Sequence, residues 1–215
     1  MLISIQLLNI FIITYRTDSL PVRSKEYNTT GVVAHQKDGL LFCLRKIKML
    51  YLNLMNIFYI HSDPVIAARE LADDHIRKMQ IESAQMLCTT FWHYGFEAPY
   101  KKAHYNHPST KWVRESVYHF DWLLTHGLEI CDEFEKRYGK VHATKTVLNW
   151  LKINRDTIYG KIPTTPFVPP PQCMPPEYKK EDTLEAYREF YIKDKIGIKQ
   201  LNYKKLNNKP SWITN

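Results

Sequence analysis

One short stretch of the sequence places an amine, two carboxylates and an amide at regular intervals. Asp74, Lys78, Glu82 and Gln85 are spaced by four, four and three residues, and His75 lies beside the first of them. On an α-helix this spacing puts the side chains on one face, so the Lys78 amine lies one turn from the Glu82 carboxylate. Such a pair can act as an amine nucleophile or proton shuttle with a general acid or base. The same spacing also describes an exposed row of ion pairs.

A second group of polar side chains precedes another predicted helix, in the stretch HYNHPSTKWVR from His104 to Arg114. The start of a helix has free N–H groups and the positive end of the helix dipole, which favour a bound phosphate. Lys111 and Arg114 would add positive charge to this phosphate site. The alternative is that Asn106 and His107 tie the loop to the neighbouring helix through side-chain hydrogen bonds.

The histidines raise the question of a metal site, because eight of the nine fall between His61 and His142. His104 and His107 have no carboxylate or cysteine pair at matching spacing, so we expect no bound metal. The chain has no P-loop, no G-x-G-x-x-G and no H-E-x-x-H, and we expect no cofactor.

Composition and charge leave several functions open. With 44% hydrophobic and 24% charged residues, the 215-residue chain has the composition of a globular protein. The net charge of +8 permits a polyanionic partner such as nucleic acid. The four cysteines are far apart, so we interpret them as reduced thiols, with Cys88 and Cys131 buried on helices.

The elements that must position the polar groups are helices. Apolar residues at three-and-four spacing predict two long ones, from Pro64 to about Phe91 and from Ser109 or Thr110 to near Gly139. Asp63 is the expected cap of the first, with Pro64 at its first position. Gly127 lies inside the second helix, where glycine costs about 1 kcal/mol relative to alanine, so we expect close helix packing there.

Shorter elements follow. A helix is predicted from His142 to Ile153, and another from Asp182 or Thr183 to near Gly197, before a basic tail that reaches Trp212. The proline-dense stretch from Pro163 to Pro176 excludes helix and favours an extended strap across the helices. It has no flanking basic anchor that would favour an SH3-type ligand. The sequence therefore predicts a mainly all-α fold, a compact bundle of about four to five helices with a short extended start at MNIFYI.

The first 54 residues differ from the rest. Met1 to Thr14 is apolar but too short to span a bilayer, and it lacks the features of a secretory signal. Gly39 to Ile60 can be interpreted as a basic membrane-surface helix. We instead expect residues 1–54 to be poorly ordered or an upstream extension of the reading frame. We also expect one helical domain over residues 55–212, intracellular rather than secreted, without stable membrane association.

Three sequence elements together resemble a known family. They are Asp-x3-Lys-x3-Glu-x2-Gln, Asn-His-Pro-x3-Trp and Gly-Leu-x-Ile-Cys-x-Glu-x3-Arg-Tyr-Gly, which lie between Met55 and Gly139. The pattern resembles the pyrimidine-dimer DNA glycosylases of the endonuclease V type, found in phages, viruses and bacteria. The similarity weakens through Glu177-Tyr178 and residues 185–188.

The resemblance implies an all-helical DNA-repair enzyme that binds duplex DNA and flips a nucleotide out of the stack. An amine would attack the C1′ atom of the sugar and leave a Schiff base that is open to strand cleavage. Glu82 is the expected catalytic carboxylate and Lys78 a candidate amine. The expected substrate or phosphate contacts are His75, Gln85, Asn106, His107, Lys111 and Arg114.

The chain departs from the family pattern at the nucleophile. In the family the nucleophile is the α-amine of a small residue, exposed by removal of the initiator methionine, whereas here Met55 is followed by the bulkier Asn56. Two other functions therefore stay open. One is a non-catalytic nucleic-acid or nucleotide-binding protein of the same fold, and the other is a nucleotide-processing enzyme that uses Lys78 and Glu82.

Overall fold

The computed structural model describes residues 55–205 and 209–214, and the predictions made for residues 1–54 lie outside this part of the chain. Eight α-helices and no strand occur in the described residues, which confirms the all-α fold class. The helices are α1 (Pro64–Arg69), α2 (Asp73–Ile76), α3 (Met79–His93), α4 (Pro108–Val113), α5 (Val117–Tyr138), α6 (Thr144–Asn154), α7 (Asp156–Tyr159) and α8 (Thr183–Phe190). A π-helical segment, Tyr191–Ile198, continues α8, and a 3₁₀ turn covers Pro176–Tyr178.

The prediction of one helix from Pro64 to about Phe91 is wrong, because the chain forms α1, α2 and α3 there. The predicted start is confirmed: Asp63 Oδ1 accepts hydrogen bonds from the backbone N–H groups of Val65 and Ile66, at 2.8 and 3.0 Å. Backbone groups in the turn between α1 and α2 form hydrogen bonds with residues distant in the chain. The Ala72 N–H donates to the Tyr191 hydroxyl at 2.8 Å.

Arg137 also stabilises the end of α1. Its guanidinium donates to the carbonyl oxygens of Arg69 and Leu71, both at 2.7 Å, so the helix does not need to continue in order to satisfy them. The same buried side chain lies 3.2 Å from Asp73 Oδ1 and 3.3 Å from Glu133 Oε2. Breaking a buried ion pair costs about 3–5 kcal/mol, so this cluster fixes α1, α2 and α5 relative to one another.

The second long helix is also divided, into α4 and α5. The cap of α4 is His107 rather than Ser109 or Thr110: its Nδ1 accepts from the Ser109 N–H at 3.2 Å. Ser116 then restarts the helix, since its Oγ accepts from the Tyr118 N–H at 3.2 Å. Because of this break, the two breaks in the first predicted helix and the additional short helix α7, the number of α-helices in the described residues exceeds the four to five predicted.

The proline-rich segment forms the predicted strap across α4 and α5. The Ser116 hydroxyl donates to the Thr165 carbonyl at 2.5 Å, and the Val117 N–H donates to the Pro163 carbonyl at 2.9 Å. Farther along, the carbonyl and N–H of Val168 bind the Trp112 indole and the His119 imidazole, at 2.9 and 3.0 Å. These contacts hold the strap at the break between the two helices.

The predicted close packing at Gly127 is confirmed. A Cβ at this position would lie 3.1 Å from Ser83 Cβ and 3.3 Å from Leu148 Cδ2. The absence of a side chain therefore lets α5 approach α3 and α6. Cys88 and Cys131 are fully buried as expected, and burial raises the pKa of their thiols to about 11 and about 12.

The two ends of the described chain pack on the helices. Residues 55–60 are buried and not helical, so the membrane-surface helix considered for Gly39 to Ile60 does not include them. Of the two predicted caps of this helix, Asp182 and Thr183, it is Asp182 that caps α8, by accepting from the Glu185 N–H at 2.8 Å. Near the C-terminus, the Trp212 indole donates to Glu70 Oε2 at 2.8 Å. In residues 55–205 and 209–214 no helix has the length and apolar character needed to cross a membrane.

Candidate active site

Glu82 lies in the first turn of α3, where its carboxylate meets nitrogen atoms from two elements. Oε1 is 2.8 Å from Nζ of Lys78, and Oε2 accepts a hydrogen bond from the backbone N–H of Asn56 at 3.0 Å. The Glu82 side chain is only 10% exposed, whereas that of Lys78 is 59% exposed. The pair therefore lies at the edge of the core, with the carboxylate inside and the amine open to solvent.

Asn56 connects this carboxylate to the strap and to α8. Its Nδ2 donates to the Cys173 carbonyl at 2.8 Å, and its Oδ1 lies 3.0 Å from the Tyr187 hydroxyl. Burial raises the pKa of Tyr187 well above its ordinary value of 10, so the hydroxyl remains a donor. Sequence reasoning did not select Asn56 or Tyr187, because only the folded chain brings them to Glu82.

The predicted polar row on one helix is only partly present. Asp74 lies on α2 and is 3.8 Å from Arg77 rather than next to Lys78, because the chain turns between α2 and α3. Lys78 and Glu82 meet across the start of α3, and Gln85 follows one turn later, partly buried. The structure therefore brings together the two residues predicted to be catalytic and separates Asp74 from them.

His75 is held by aromatic side chains. Its ring stacks on Phe58 with centroids 4.2 Å apart, and its Nδ1 is 2.8 Å from the Tyr191 hydroxyl. Burial, followed by the charges of Lys195 and Lys78, lowers the pKa of His75 to about 3. The imidazole is therefore neutral at neutral pH and adds no positive charge with which to bind a phosphate.

In the second predicted group, two of the four side chains stabilise the loop itself. His107 caps α4, and burial lowers its pKa, so the neutral ring accepts the Ser109 N–H. Arg114 donates a hydrogen bond to the Tyr105 carbonyl at 2.9 Å, and its guanidinium carbon lies 4.2 Å from the centre of the Tyr105 ring. Asn106 and Lys111 are exposed, which leaves them open to a ligand.

The start of α4 is connected to Glu82 through the strap. The hydroxyl of Ser109 lies 3.3 Å from the thiol sulfur of Cys173, whose carbonyl binds Asn56. Asn56 in turn contacts Glu82. The Lys78–Glu82 pair and the start of α4 thus lie at opposite ends of one series of contacts. In the part of the chain that is described, no three His, Cys, Asp or Glu side chains converge to hold a metal ion.

The fold and the site together define a small helical protein with a carboxylate and an amine paired at the edge of its core. Residues 55–147 match the family model described as pyrimidine dimer DNA glycosylase. This match confirms the family resemblance over those residues, which include Lys78, Glu82 and the start of α4. A search of curated proteins and a search of solved structures each found no match.

Proposed function

We propose that the protein is a DNA glycosylase with lyase activity at abasic sites, and that it acts on damaged or modified pyrimidines in duplex DNA. The observation that carries this proposal is the Glu82 carboxylate, which is sheltered from solvent and lies 2.8 Å from the amine of Lys78. The match of residues 55–147 to a family of pyrimidine dimer DNA glycosylases supports the choice of substrate.

The chemistry needs an amine and a carboxylate. The amine forms a bond to C1′ of the flipped nucleotide while the glycosidic bond breaks and the base leaves with its bonding electrons. Opening of the sugar ring then gives an imine between the amine nitrogen and C1′, with a proton delivered to the ring oxygen. Loss of a C2′ proton and departure of the 3′ phosphate break the strand. Glu82 is the group that transfers protons at the sugar.

Two nitrogen atoms contact Glu82, and they differ in reactivity. The Asn56 nitrogen belongs to the peptide bond with Met55, so it is not a nucleophile. Lys78 carries an amine, and two roles are open to it. It can attack C1′ after losing its proton, or it can remain charged and hold the Glu82 carboxylate in position.

Binding of the DNA is assigned to the exposed groups of the same region. Lys111 and Asn106, at the start of α4, are proposed to contact phosphates. Gln85, one turn beyond Glu82 on α3, is proposed to contact the flipped nucleotide. His107 and Arg114 contribute by fixing the loop that carries Asn106.

The proposal is tested by borohydride trapping of the full chain on a duplex with one abasic site and on a duplex with one thymine dimer. We expect a covalent protein–DNA adduct, because borohydride reduces the imine to a stable amine. Glu82→Gln keeps the size of the side chain and an acceptor for the Asn56 N–H, but removes the proton-transfer group. We expect it to slow adduct formation by roughly 10²–10⁴-fold.

Two further variants separate the roles of Lys78. Lys78→Ala abolishes the adduct if Lys78 is the nucleophile, and only slows its formation if Lys78 is the partner cation. Arg77→Ala is the matched control, since Arg77 is the adjacent exposed cation and contacts Asp74 rather than Glu82. A folded wild-type chain that gives no adduct on either duplex would reject the glycosylase–lyase proposal. Retained DNA binding would then favour the non-catalytic binding protein.

A further inference from the structure

The Asn56 side chain is buried and uses both ends of its amide. The residue is 7% exposed, its Nδ2 donates to the Cys173 carbonyl at 2.8 Å, and its Oδ1 lies 3.0 Å from the Tyr187 hydroxyl. A carbonyl oxygen only accepts hydrogen bonds, so the amide atom beside Cys173 must be the nitrogen. Oδ1 therefore faces Tyr187 and accepts from its hydroxyl, which gives the amide a single orientation.

The Tyr187 hydroxyl connects this amide to the strap. The tyrosine is fully buried, and its hydroxyl also lies 2.8 Å from the Pro171 carbonyl and accepts a hydrogen bond from the Cys173 N–H at 3.3 Å. Asn56 and Pro171 both present acceptor atoms here, so they share the one hydroxyl proton. Removal of the hydroxyl would leave these buried polar groups short of a partner.

These contacts fix the direction of one backbone N–H group. The Asn56 N–H donates to Oε2 of Glu82 at 3.0 Å, whereas Oε1 is paired with the Lys78 amine. The Lys78 side chain is 59% exposed and has a flexible stem, so it holds the carboxylate loosely. The N–H of Asn56 belongs to a segment that its own amide and Tyr187 hold in place. It is therefore the group that sets the orientation of the Glu82 carboxylate.

We infer that Asn56 and Tyr187 are positioning residues for Glu82. This inference rests on the proposed glycosylase–lyase function, in which Glu82 transfers protons at the sugar. Proton transfer requires the carboxylate to lie within hydrogen-bond reach of the reacting atom. A displacement of about 1 Å at an active site can cost about 10²-fold in rate, so loss of the fixed N–H slows the reaction even though Asn56 and Tyr187 do not touch the DNA.

The first experiment measures the rate of borohydride-trapped adduct formation by the full chain, in excess over an abasic-site duplex. Tyr187→Phe keeps the ring and removes only the hydroxyl. We expect it to form the adduct roughly tenfold more slowly, with an unchanged Kd for the same duplex by fluorescence anisotropy. Tyr138→Phe is the matched control, because the Tyr138 hydroxyl donates to the Asp73 carbonyl at 3.0 Å rather than to Asn56. We expect this control to keep the wild-type rate.

A second comparison separates positioning from general destabilisation. If Tyr187 acts through the Glu82 carboxylate, Tyr187→Phe has no carboxylate to misplace in a Glu82→Gln background, so the two losses do not multiply. We expect the double variant to react within about twofold of Glu82→Gln alone. A hydroxyl that only stabilises the fold would slow the reaction by the same factor in both backgrounds, and this result would overturn the inference.

The hydrogen bond itself is followed without DNA. Hydrogen exchange measured by NMR reports the protection of the amide of residue 56, and we expect Tyr187→Phe to reduce this protection by about tenfold or more. Asn56→Ala tests the same link if Tyr187→Phe does not fold. It removes the side-chain amide and leaves the Tyr187 hydroxyl with the Pro171 carbonyl as its acceptor. We expect the same loss of protection and the same slower adduct formation.

The failures have different meanings. A wild-type rate of adduct formation in either folded variant, Tyr187→Phe or Asn56→Ala, overturns the positioning role and leaves the glycosylase–lyase function in place. A folded wild-type chain that gives no adduct overturns the proposed function and this inference with it.

Discussion

His126 is a polar residue in the middle of the core. It lies on α5, 1% exposed, and its ring stacks on Trp122 with centroids 5.0 Å apart. Neither ring nitrogen has a hydrogen-bond partner among the described residues. Burial lowers the pKa of His126 from 6.5 to about 3, so the ring is neutral in the folded protein over most of the pH range.

This burial predicts a pH dependence of stability. Between about pH 6.5 and pH 3 the unfolded chain binds a proton at His126 and the folded chain does not, so stability falls as the pH falls through this window. Each such histidine contributes a slope of up to about 1.4 kcal/mol per pH unit. We expect His126→Phe to keep the ring contact with Trp122 and to reduce this slope.

The measurement is the free energy of unfolding in urea at pH 7 and pH 5 for the wild type and for His126→Phe. We expect the variant to lose less stability than the wild type between the two values. Since His75 has a similarly lowered pKa, part of the slope will remain. Equal losses in the two proteins would show that His126 does not titrate as its burial requires.

The absence of a side chain at one position of α5 allows this helix to pack closely against its neighbours. At the contact of α3 with α5, Gly127 faces Ser83, and its other neighbour is Leu148 on α6. Glycine destabilises a helix by about 1 kcal/mol relative to alanine, while overpacking a core costs about 1–3 kcal/mol. The distance of 3.1 Å to Ser83 Cβ decides between these effects, because that atom is fixed to the α3 backbone and cannot rotate away.

We therefore expect Gly127→Ala to lower the free energy of unfolding by about 1 kcal/mol, despite the gain in helix propensity. Removal of the opposing atom in Ser83→Gly should relieve this cost. A double-mutant cycle of the two changes, measured by urea unfolding, should give a favourable coupling of at least about 0.5 kcal/mol. A Gly127→Ala variant that is more stable than the wild type would mean that the helices separate easily.

For the molecule as a whole, the net charge and the positions of the exposed cations have different origins. The net charge of +8 is a property of the sequence. The exposure of Lys111 beside a loop fixed by His107 and Arg114 is a property of the fold. Binding of duplex DNA through such cations releases counterions and therefore weakens as salt rises.

If Lys111 contacts a phosphate, Lys111→Gln should weaken binding of undamaged duplex and lower the slope of log K against log salt by about 0.9. Fluorescence anisotropy between 50 and 200 mM KCl measures both quantities. Lys152→Gln removes one charge from a cleft on α5 and α6 that it shares with Asp121, Glu129 and Asp132. We expect this control to leave the slope unchanged. An unchanged slope for Lys111→Gln would remove this residue from the DNA-binding surface.

Local chemistry made several elements predictable. Asp63 and Asp182 have side chains that accept the first free N–H groups of a helix, so the starts of α1 and α8 follow from residue type and position alone. The prolines of the strap cannot join a helix interior, and that segment is extended. Lys78 and Glu82 are four residues apart, and this spacing brings them into contact.

The sequence by itself therefore determined the helical class, the caps of α1 and α8, the strap and the Lys78–Glu82 pair, because each depends on interactions between residues close together in the chain. Only the tertiary structure decided where the long helices break, since the competing partners, Arg137 for α1 and the strap for α5, come from distant segments. It also decided that Asn56 meets Glu82, 26 residues away, and that Tyr187 meets Asn56, 131 residues away. Contacts at such separations form when apolar surfaces are buried together, and no local pattern of residues specifies them.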